Sequence, residues 1–473
     1  MARENSNREM SYQILMGTDI DGVLRGKLIP RSKIKKGEKN DFGFCGVIFA
    51  WDCNDTVYTS TELNRGISDT THSGKTPFGN DRKGYPDVIA RIDTTCNRNF
   101  FVPQQPEGIS VSFVDFLDKY QMPLDFCPRS VLKNAIGKLQ NMGYGAHCGI
   151  ELEWYNYCDD VERLTSSDAH PHKAAISTGM FGYSMLRPWQ NASYMKDILN
   201  YCTKSGLEFE AFHTETGPGV YEMALKHKPA LEAADNGQLF KYLVKTIAKH
   251  HGLTASFMAK PWNDLPGCGG HIHISLTNKN ESGNNAFADD DAMMKHFIAG
   301  ILYCVPDMMP FFAPNINSYK RLDLRYWAPV LIGWGEDDRL AVVRVIKSAD
   351  DPESTRIEVR IGGADLNPYI AIAAILQAGM YGMEKSLPLP PALETEKLHP
   401  SGDVLGEVKK RGYRALPSTL MEGIAMMAAP DSMARRIFPK NFIEHFAMTR
   451  LHEIKMFETT VTNWERQRYL ELA

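Results

Sequence analysis

The sequence predicts an α+β protein with a small N-terminal β-rich domain followed by a larger domain that mixes helices and strands. Up to about residue 106, short extended runs such as FCGVIFAW (44–51) and DVIARID (87–93) are separated by Gly, Asn, Asp and Pro clusters. Beyond Pro106, apolar residues recur at helical spacing, as in FVDFLDKY (113–120) and SVLKNAIGKLQNMG (130–143). This change in pattern places the domain boundary near residue 106.

Three segments follow from this reading: a flexible polar tail over 1–14, a β-rich domain over 15–106 and a mixed domain over 107–473. The polar stretch 59–84 is long for a loop, so it is either disordered or functional. Helices are predicted around 222–250 and 291–304, with the acidic run at 289–291 capping the second.

Composition excludes several classes of function. The 473 residues include 53 Lys and Arg and 57 Asp and Glu, so a net charge of −4 gives no general attraction to nucleic acid or anionic membranes. No signal peptide and no apolar run of roughly 18 to 20 residues is evident, which predicts a cytoplasmic protein without a membrane span. The nine cysteines include no C-x-x-C pair, which argues against disulfides and zinc.

Several predicted strands carry charged or imidazole side chains at every second position, and therefore on one face. These residues are Glu151 and Glu153 in GIELEWY, His271, His273 and Ser275 in GGHIHISL, and Arg356, Glu358 and Arg360 in TRIEVRI. A solvated sheet also alternates, but it favours Lys, Thr and Ser. Converging carboxylates and imidazoles instead favour divalent metal sites.

The segment FHTETGPGVYEMALK (212–226) adds two carboxylates, Glu215 and Glu222. Glu222 follows a Gly-Pro-Gly turn at the predicted start of a helix, where it could equally stabilise the positive end of the helix dipole. The pattern therefore leaves its role open between metal ligand and helix partner.

Arginines supply the positive charge that a phosphate would need beside such metals. Arg321 lies in NSYKRL, and Arg339 and Arg344 lie in GWGEDDRLAVVRVI. Pairs of divalent ions clamp nucleotide phosphates during transfer, and the planar guanidinium suits carboxylate and phosphate contacts. Each arginine alone could be an ordinary surface or ion-pair residue.

Taken together, GIELEWY, HTETGPGVYE, KPW…GCGGHIHISL, NSYKRL, WAPV…WGEDDR…VRVI and TRIEVRIGGADLNPYIAIAA resemble the successive motifs of glutamine synthetase. The resemblance covers about 149–385, and the β-rich start is similar to the β-grasp domain of that family. It implies a curved antiparallel sheet backed by helices in the catalytic domain. It also implies a ring-shaped homo-oligomer, often a dodecamer in that family, with active sites shared between subunits.

The resemblance further implies site residues. It assigns one Mg²⁺ or Mn²⁺ ion to Glu153, Glu215 and Glu222, and a second to Glu151, His271 and Glu358. It assigns substrate binding to Arg321, Arg360 and Gly267, phosphoryl transfer to Arg339 and Arg344, and the nucleotide surroundings to His273 and Ser275. In the reaction that the family implies, ATP converts the γ-carboxylate of glutamate to an acyl phosphate, which an amine then displaces.

One departure from the family pattern bears on the amine. Where ammonia-using members resemble one another in carrying a Glu before Ala-Pro, this chain has Trp327. We therefore expect Trp327 to line a pocket for a substituted amine. By the same resemblance, Asp52 in AWDCND reaches the amine site of a neighbouring subunit, with Asp55 as the second candidate; a turn aspartate is the alternative.

Three other functions remain open at this stage. The chain could be a glutamine synthetase that uses ammonia, or a ligase whose acid substrate is not glutamate. It could also be a non-catalytic assembly protein that resembles the enzyme. The complete set of acidic, imidazole and arginine residues argues against the last, because a scaffold has no reason to keep buried like charges unpaired.

Overall fold

A computed structural model describes residues 12–35, 38–58, 85–166, 169–279, 283–395 and 412–473. It contains two β-sheets and a set of helices, which confirms the α+β class. The predicted loop at 59–84 and residues 1–11 of the predicted tail lie outside the described residues. None of the helices in the described ranges combines the length and apolar character that a membrane crossing requires.

Within the described ranges, the N-terminal sheet has six strands in the order β2-β1-β6-β4-β3, with β5 beside β6, and only β1 and β6 pair in parallel. The strands are β1 (Tyr12–Thr18), β2 (Leu24–Pro30), β3 (Asp41–Cys45), β4 (Asp87–Ile92), β5 (Arg98–Val102) and β6 (Gln105–Leu117).

Strand β6 corrects part of the sequence analysis. It includes Phe113–Leu117, where helical spacing was predicted, and it crosses the boundary predicted at residue 106. The helix prediction is wrong because Phe113, Val114, Phe116 and Leu117 are all buried, so apolar side chains lie on both faces of this strand and the usual alternation of a half-buried strand is lost. Similarly, Gly46–Phe49 form a 3₁₀ helix where an extended run was predicted. The division into domains stays a prediction.

The second sheet has eight strands in the order β12-β13-β14-β11-β7-β9-β8, with β10 beside β7. Every pairing is antiparallel except β12 with β13, so the predicted curved antiparallel sheet is confirmed. The strands are β7 (Tyr144–Tyr157), β8 (Phe209–Thr214), β9 (Val220–Pro229), β10 (Thr254–Ser256), β11 (Gly270–Asn278), β12 (Trp334–Glu336), β13 (Val343–Ile346) and β14 (Arg356–Val359).

Helices back this sheet, and α6 packs directly against β7, β9 and β10. The α-helices of the described ranges are α1 (Pro128–Asn141), α2 (Val161–Leu164), α3 (Pro171–Ala174), α4 (Leu186–Gln190), α5 (Ala192–Lys204), α6 (Ala230–His250), α7 (Ala286–Asp289), α8 (Asp291–Met308), α9 (Ile316–Tyr319), α10 (Pro368–Glu384), α11 (Leu420–Ala428), α12 (Met433–Ile437), α13 (Lys440–Glu458) and α14 (Asn463–Tyr469). The predicted cap of α8 is present, since the Asp290 carboxylate accepts from the Met293 amide at 2.9 Å.

The start of α6 differs from the prediction. A helix was predicted from residue 222, but Val220–Pro229 form β9 and the helix begins at Ala230. Glu222 is therefore a strand residue, and its interpretation as a partner of a helix N-terminus is wrong. Pairing of β9 with both β7 and β8 overrides the helical spacing of this segment.

A buried arginine joins the N-terminal sheet to α6, the helix that packs against the second sheet. Arg129 on α1 contacts Asp93 and Asp115 of the N-terminal sheet region at 2.8 and 2.7 Å. The same guanidinium donates to both carboxylate oxygens of Asp235 on α6, at 3.0 and 3.1 Å. Only 3% of the Arg129 side chain is exposed; Asp93 and Asp115 also pair with Lys133, whereas buried Asp235 depends on Arg129 for charge compensation.

We expect Arg129→Met to lower the free energy of unfolding by about 3–5 kcal/mol, because it leaves buried Asp235 without its cation. Urea unfolding measures the loss. Arg163→Met is the matched control: its ion pair with Asp159 is solvent-exposed, and its removal should cost less than about 1 kcal/mol. Equal losses in the two variants would contradict the role of Arg129.

Candidate active site

The register of the second sheet places the polar side chains predicted from sequence next to one another. Glu153 on β7 lies opposite Glu222 on β9, which lies opposite His213 on β8. Two residues before Glu153 on β7, Glu151 lies opposite His271 on β11. These rows lie on one face of the sheet, because residues two apart on a strand share a face.

The opposite face of the same strands forms the core. Ile150, Leu152 and Trp154, which alternate with the β7 glutamates, are at most 1% exposed. The polar face continues onto β14, where Glu358 lies opposite His273 of β11 and Arg344 of β13. Packing of the apolar side against the helices thus fixes the direction of every polar side chain in the rows.

These rows border a cavity of about 530 Å³, which we call the central cavity. The predicted site residues that line it are Glu151, Glu153, Glu215, Glu222, Gly267, His271, His273, Arg321, Trp327, Arg339, Arg344 and Arg360. Glu358 is almost fully buried, at 1% exposure, and its carboxylate contacts residues of this lining. The structure therefore brings together residues from six separate stretches of the chain.

One group of possible metal ligands consists of His213, Glu215 and Glu222, whose ligand atoms all lie within 4.8 Å of one another. His213 Nδ1 is 3.7 Å from Glu215 Oε1, and His213 Nε2 is 3.8 Å from Glu222 Oε2. Glu153 faces this group through its register with Glu222. An imidazole and three carboxylates offer nitrogen and oxygen ligands suited to a divalent ion.

The second group consists of Glu151, His273 and Glu358, again within 4.8 Å. His273 Nε2 lies 2.9 Å from Glu151 Oε1. His271, the histidine that the resemblance assigns here, lies as close: its Nδ1 is 3.5 Å from Glu151 Oε2 and 3.3 Å from Glu358 Oε1. Two histidines therefore flank the same pair of carboxylates.

Buried like charges dominate the first group. Burial raises the pKa of Glu153 to about 7, with the Glu215 carboxylate adding to the shift and Arg321 opposing it. Burial, followed by the charges of Glu153, Glu151, Glu215 and Glu358, raises the pKa of Glu222 well above its ordinary value. These carboxylates can all ionise together only if a cation joins them, so the donor set fits a divalent metal.

The second group is balanced by imidazoles and guanidinium groups. Burial opposes ionisation of Glu151 and Glu358, but neighbouring histidines outweigh it and lower both pKa values, assisted at Glu358 by Arg360. Burial and the charge of Arg360 lower the pKa of His271 to about 4, so this imidazole is neutral at pH 7. A neutral imidazole is the form that binds a metal.

Three arginines are held firmly around these groups. Arg344 Nη1 donates to Glu358 Oε2 at 3.1 Å, and Arg360 Nη1 donates to the other oxygen of the same carboxylate. Arg321 is buried, donating to the Ile361 carbonyl at 3.2 Å and to His271 Nε2 at 3.1 Å. Fixed positive charge therefore borders the carboxylates on one side of the cavity.

Glycine is required where backbone approaches the cavity. A Cβ on Gly267 would lie 2.3 Å from the Ala259 carbonyl oxygen and 2.7 Å from Arg321 Cγ. A Cβ on Gly269 would lie 2.7 Å from His271 Nε2 and 2.9 Å from Glu153 Oε1. The Gly269 amide donates to Glu153 Oε2 at 2.7 Å, so close approach also orients this carboxylate.

Trp327 is half-exposed, at 52%, on the wall of the central cavity. It has a left-handed backbone conformation, with φ at 55°, after the 3₁₀ helix Leu324–Tyr326. Such a conformation is unfavourable for a bulky residue, so its surroundings must impose it. The preceding Tyr326 donates to the Asp264 carbonyl at 3.0 Å, and the Lys260 ammonium lies 4.5 Å from the Tyr326 ring centre.

Two predicted residues lie outside the central cavity. Ser275 lines a neighbouring cavity of about 440 Å³, the side cavity, together with Glu151, His273 and Arg356. Asp52 lines a third cavity of about 690 Å³, the interdomain cavity, between the β1–β2 turn, α6 and α13. There the Asp52 carboxylate lies 3.1 Å from His452 Nε2 and accepts from backbone amides in its turn, while Asp55 pairs with Arg25.

Two side chains at the first group of possible metal ligands were not among the predicted site residues, His213 and Tyr183. His213 lies two positions before Glu215, so the spacing that identified the other strands also marks this pair. Tyr183 stacks on the His213 ring with centres 4.4 Å apart, and its amide donates to the Thr214 carbonyl at 2.7 Å. Tyr183 comes from a distant loop, and no local spacing indicates this contact.

Comparison with known proteins agrees with this geometry. The family profile described as glutamine synthetase, catalytic domain, matches residues 125–469. The chain therefore belongs to the glutamine synthetase family, whose enzymes use ATP and divalent metals.

Two relatives illustrate the range of the family. Type-1 glutamine synthetase 2 of Dictyostelium discoideum is 39% identical over 97% of this chain and 83% of its own length. Glutamate–isopropylamine ligase of a Pseudomonas species is 33% identical over 97% of this chain and 94% of its own length. A solved structure described as a GmaS/ADP complex has a TM-score of 0.75 at 24% identity, covering 98% of this chain and 97% of its own, which supports the fold.

The raised pKa of Glu153 gives a test of the buried charge. In metal-free protein the folded state holds a proton that the unfolded state releases, so this contribution to stability falls as the pH rises from about 5 to 8. Glu153→Gln lacks this proton, so between pH 5 and 8 its unfolding free energy should rise by about 1–3 kcal/mol relative to that of wild type. Urea unfolding in the presence of a chelator measures the difference.

Saturating Mg²⁺ should remove most of this difference in the pH dependence of the unfolding free energy, because a bound cation keeps the Glu153 carboxylate ionised in the folded state. Glu458→Gln serves as the control, since Glu458 is an exposed carboxylate at the end of α13. If the unfolding free energies of wild type and Glu153→Gln change with pH in parallel without metal, the Glu153 pKa is not raised in the folded state and the prediction is contradicted.

Proposed function

We propose that this protein is an ATP-dependent ligase that forms a γ-glutamyl amide from glutamate and a substituted amine, through a γ-glutamyl phosphate. The observation that carries the proposal is the pair of ligand groups on one wall of a cavity that also holds Arg321, Arg344 and Arg360. Family membership supports a ligase that consumes ATP. The amine is the part that the family leaves open.

In this proposal Glu153, Glu215 and Glu222 hold one divalent ion, with His213 added as a ligand or close neighbour. Glu151, Glu358 and His271 hold the second, with His273 beside them. Bound ions would neutralise charge on the phosphates of ATP. The raised pKa values of Glu153 and Glu222 support this assignment, since the cations would take the place of protons there.

Glutamate would lie between the arginines and the glycine-containing segment. Arg321 is proposed to bind its α-carboxylate and Arg360 to lie near its γ-carboxylate, with the backbone at Gly267 against the substrate. The tight approach of Gly267 to Arg321 supports a shared binding surface, because a larger residue would displace the guanidinium stem. These two arginines favour an amino diacid as the acid substrate.

ATP would extend from the central cavity into the side cavity. His273 and Ser275 would adjoin the nucleotide, and both line the side cavity. Arg344 and Arg339 would meet the transferring phosphoryl group. Arg344 is oriented by Glu358 and Asp337, at 3.1 and 3.0 Å, whereas the Arg339 side chain is exposed at the cavity. Fixed and adjustable guanidinium groups would thus stabilise charge that develops during transfer.

Asp52 is proposed to act across a subunit boundary in a homo-oligomer such as a dodecamer. Within its own chain this carboxylate lines the interdomain cavity and not the central cavity. Its pKa is lowered because backbone amides and His452 outweigh the effect of burial, so it would be ionised when presented to an amine. Asp55 is the less suitable candidate, since it already pairs with Arg25.

Trp327 is the basis for preferring a substituted amine. An indole ring at this wall offers apolar surface to an alkyl group and no negative charge to an ammonium ion. The isopropylamine ligase relative supports this preference. The second candidate function is glutamine synthesis from ammonia, which the 39% identity to a type-1 glutamine synthetase supports.

An amine panel tests the proposal. Phosphate release from ATP is measured with glutamate and, in turn, ammonia, methylamine, ethanolamine, isopropylamine and putrescine. We expect release to require Mg²⁺, glutamate and an amine together, with a substituted amine preferred over ammonia. Trp327→Glu should shift the ratio of kcat/KM values toward ammonia by about 10- to 100-fold, because it exchanges apolar surface for an anionic group.

Trp327→Phe is the matched control, since it keeps an aromatic ring and should retain the preference. Ammonia as the best substrate of wild type would favour glutamine synthesis. An unchanged preference in Trp327→Glu would remove Trp327 from the amine site. Absence of phosphate release and of Mg²⁺-dependent ATP binding would instead identify a non-catalytic assembly protein.

A further inference from the structure

The interdomain cavity is larger than the central cavity and has its own chemistry. Its walls come from the β1–β2 turn, α6, the segment at 254–258 and α13. At about 690 Å³ it lies in the size range of small-molecule sites. The metabolic reaction proposed above uses none of its residues except Asp52.

One wall is a stripe of hydrogen-bond donors on α6. Gln238, Lys241 and Lys245 follow one another at spacings of three and four, so they lie on one face of the helix, and all three line the cavity. The two ammonium groups lie 6.0 and 5.8 Å from the centre of the Phe257 ring. Among the described residues, neither lysine forms an ion pair with a carboxylate.

Lys241 is only partly satisfied by the protein. Its ammonium donates to the Leu366 carbonyl at 2.9 Å, which leaves two N–H groups. Burial lowers the Lys241 pKa to about 7, with Lys245 adding to the shift and Asp365 opposing it. An anion in the cavity would reverse this effect, since an opposite charge favours the ionised form.

Two further polar groups of the lining lack partners. Gln238 and Tyr58 are 2% and 1% exposed, and within the described part of the chain Gln238 Nε2 and Tyr58 Oη have no hydrogen-bond partner. Buried polar groups are normally satisfied, so unpaired donors in a cavity wall indicate a ligand or solvent with acceptor oxygens. Together with the lysines they define a site for an anion.

The rest of the lining indicates which anion. Phe257, Leu24 and Val23 offer apolar surface to a short hydrocarbon chain. Four carboxylates line the cavity: those of Asp21 and Asp52 contact Arg450 and His452, and those of Asp365 and Glu453 complete the set. They would repel a doubly charged phosphate more strongly than a single carboxylate. The combination favours one negative charge joined to an apolar chain.

We propose that the interdomain cavity binds a small organic monocarboxylate, whose oxygens accept from Lys241, Lys245 and Gln238 and whose chain packs on Phe257. The site is distinct from the central cavity, and its occupancy does not depend on the proposed ligase reaction. Asn317 lines the interdomain cavity, and its side-chain amide donates at 2.8 Å to the carbonyl of Lys260, which lies beside the central cavity.

Isothermal titration of the full chain with butyrate, and with neutral butyramide as the matched ligand, tests the site. We expect butyrate to bind at least tenfold more tightly than butyramide, because only the carboxylate compensates the ammonium groups. Lys241→Gln combined with Lys245→Gln should weaken butyrate binding at least tenfold. Lys245 is exposed, so the single variant Lys245→Gln should fold normally and provides a test even if the double variant folds poorly. We expect it to weaken butyrate binding about threefold.

Arg321→Gln is the control for binding in the central cavity, and it should leave butyrate affinity unchanged. Equal binding of butyrate and butyramide, or unchanged affinity in both lysine variants, would overturn the proposal. Loss of binding in Arg321→Gln would overturn it as well, because it would place butyrate in the central cavity. Inorganic phosphate binding as tightly as butyrate would overturn the assignment to a carboxylate.

Discussion

Repulsion among buried carboxylates is the constraint on which the rest of the site depends. Glu153 and Glu222 are adjacent in register, and burial together with neighbouring negative charge raises both pKa values. A fold tolerates such an arrangement only where protons or cations compensate it. At Glu358 the compensation is built in as Arg344 and Arg360, whereas around Glu222 it is left to a group from solution. The contrast separates a first ligand group that lacks compensation from the protein from a second group that the protein's own arginines already compensate in part.

The fold maintains this arrangement through its core. The polar rows face the cavity because Ile150, Leu152 and Trp154 on the other side of β7 are buried under helices. A register shift of one residue would turn the glutamates into the core, so packing of the apolar side fixes the geometry of the site. Arg129 extends the same rigidity to the N-terminal sheet, because it contacts Asp93 and Asp115 there and Asp235 on α6.

Much of the site could be predicted from sequence because strand alternation is local. Spacing of two predicted that Glu151 and Glu153 share a face, and the same rule marks His213 with Glu215. Spacing cannot predict which strands are neighbours. The expectation that these strands form one site came from the resemblance to the glutamine synthetase family. Phe113–Leu117 and the segment before Ala230 were misread because pairing with neighbouring strands, β4 for the first and both β7 and β8 for the second, stabilises a strand whatever its local spacing. Contacts such as Tyr183 on His213 depend on loop conformation, which leaves no periodic signal.

The most direct test of the central claim is the number of divalent ions bound per chain, measured by Mn²⁺ titration with electron paramagnetic resonance. The account predicts two sites, with Glu215→Gln weakening one and Glu358→Gln the other, each by about 10- to 100-fold. A single site, no site, or two sites that both variants weaken equally would contradict the assignment of two separate ligand groups to two cations.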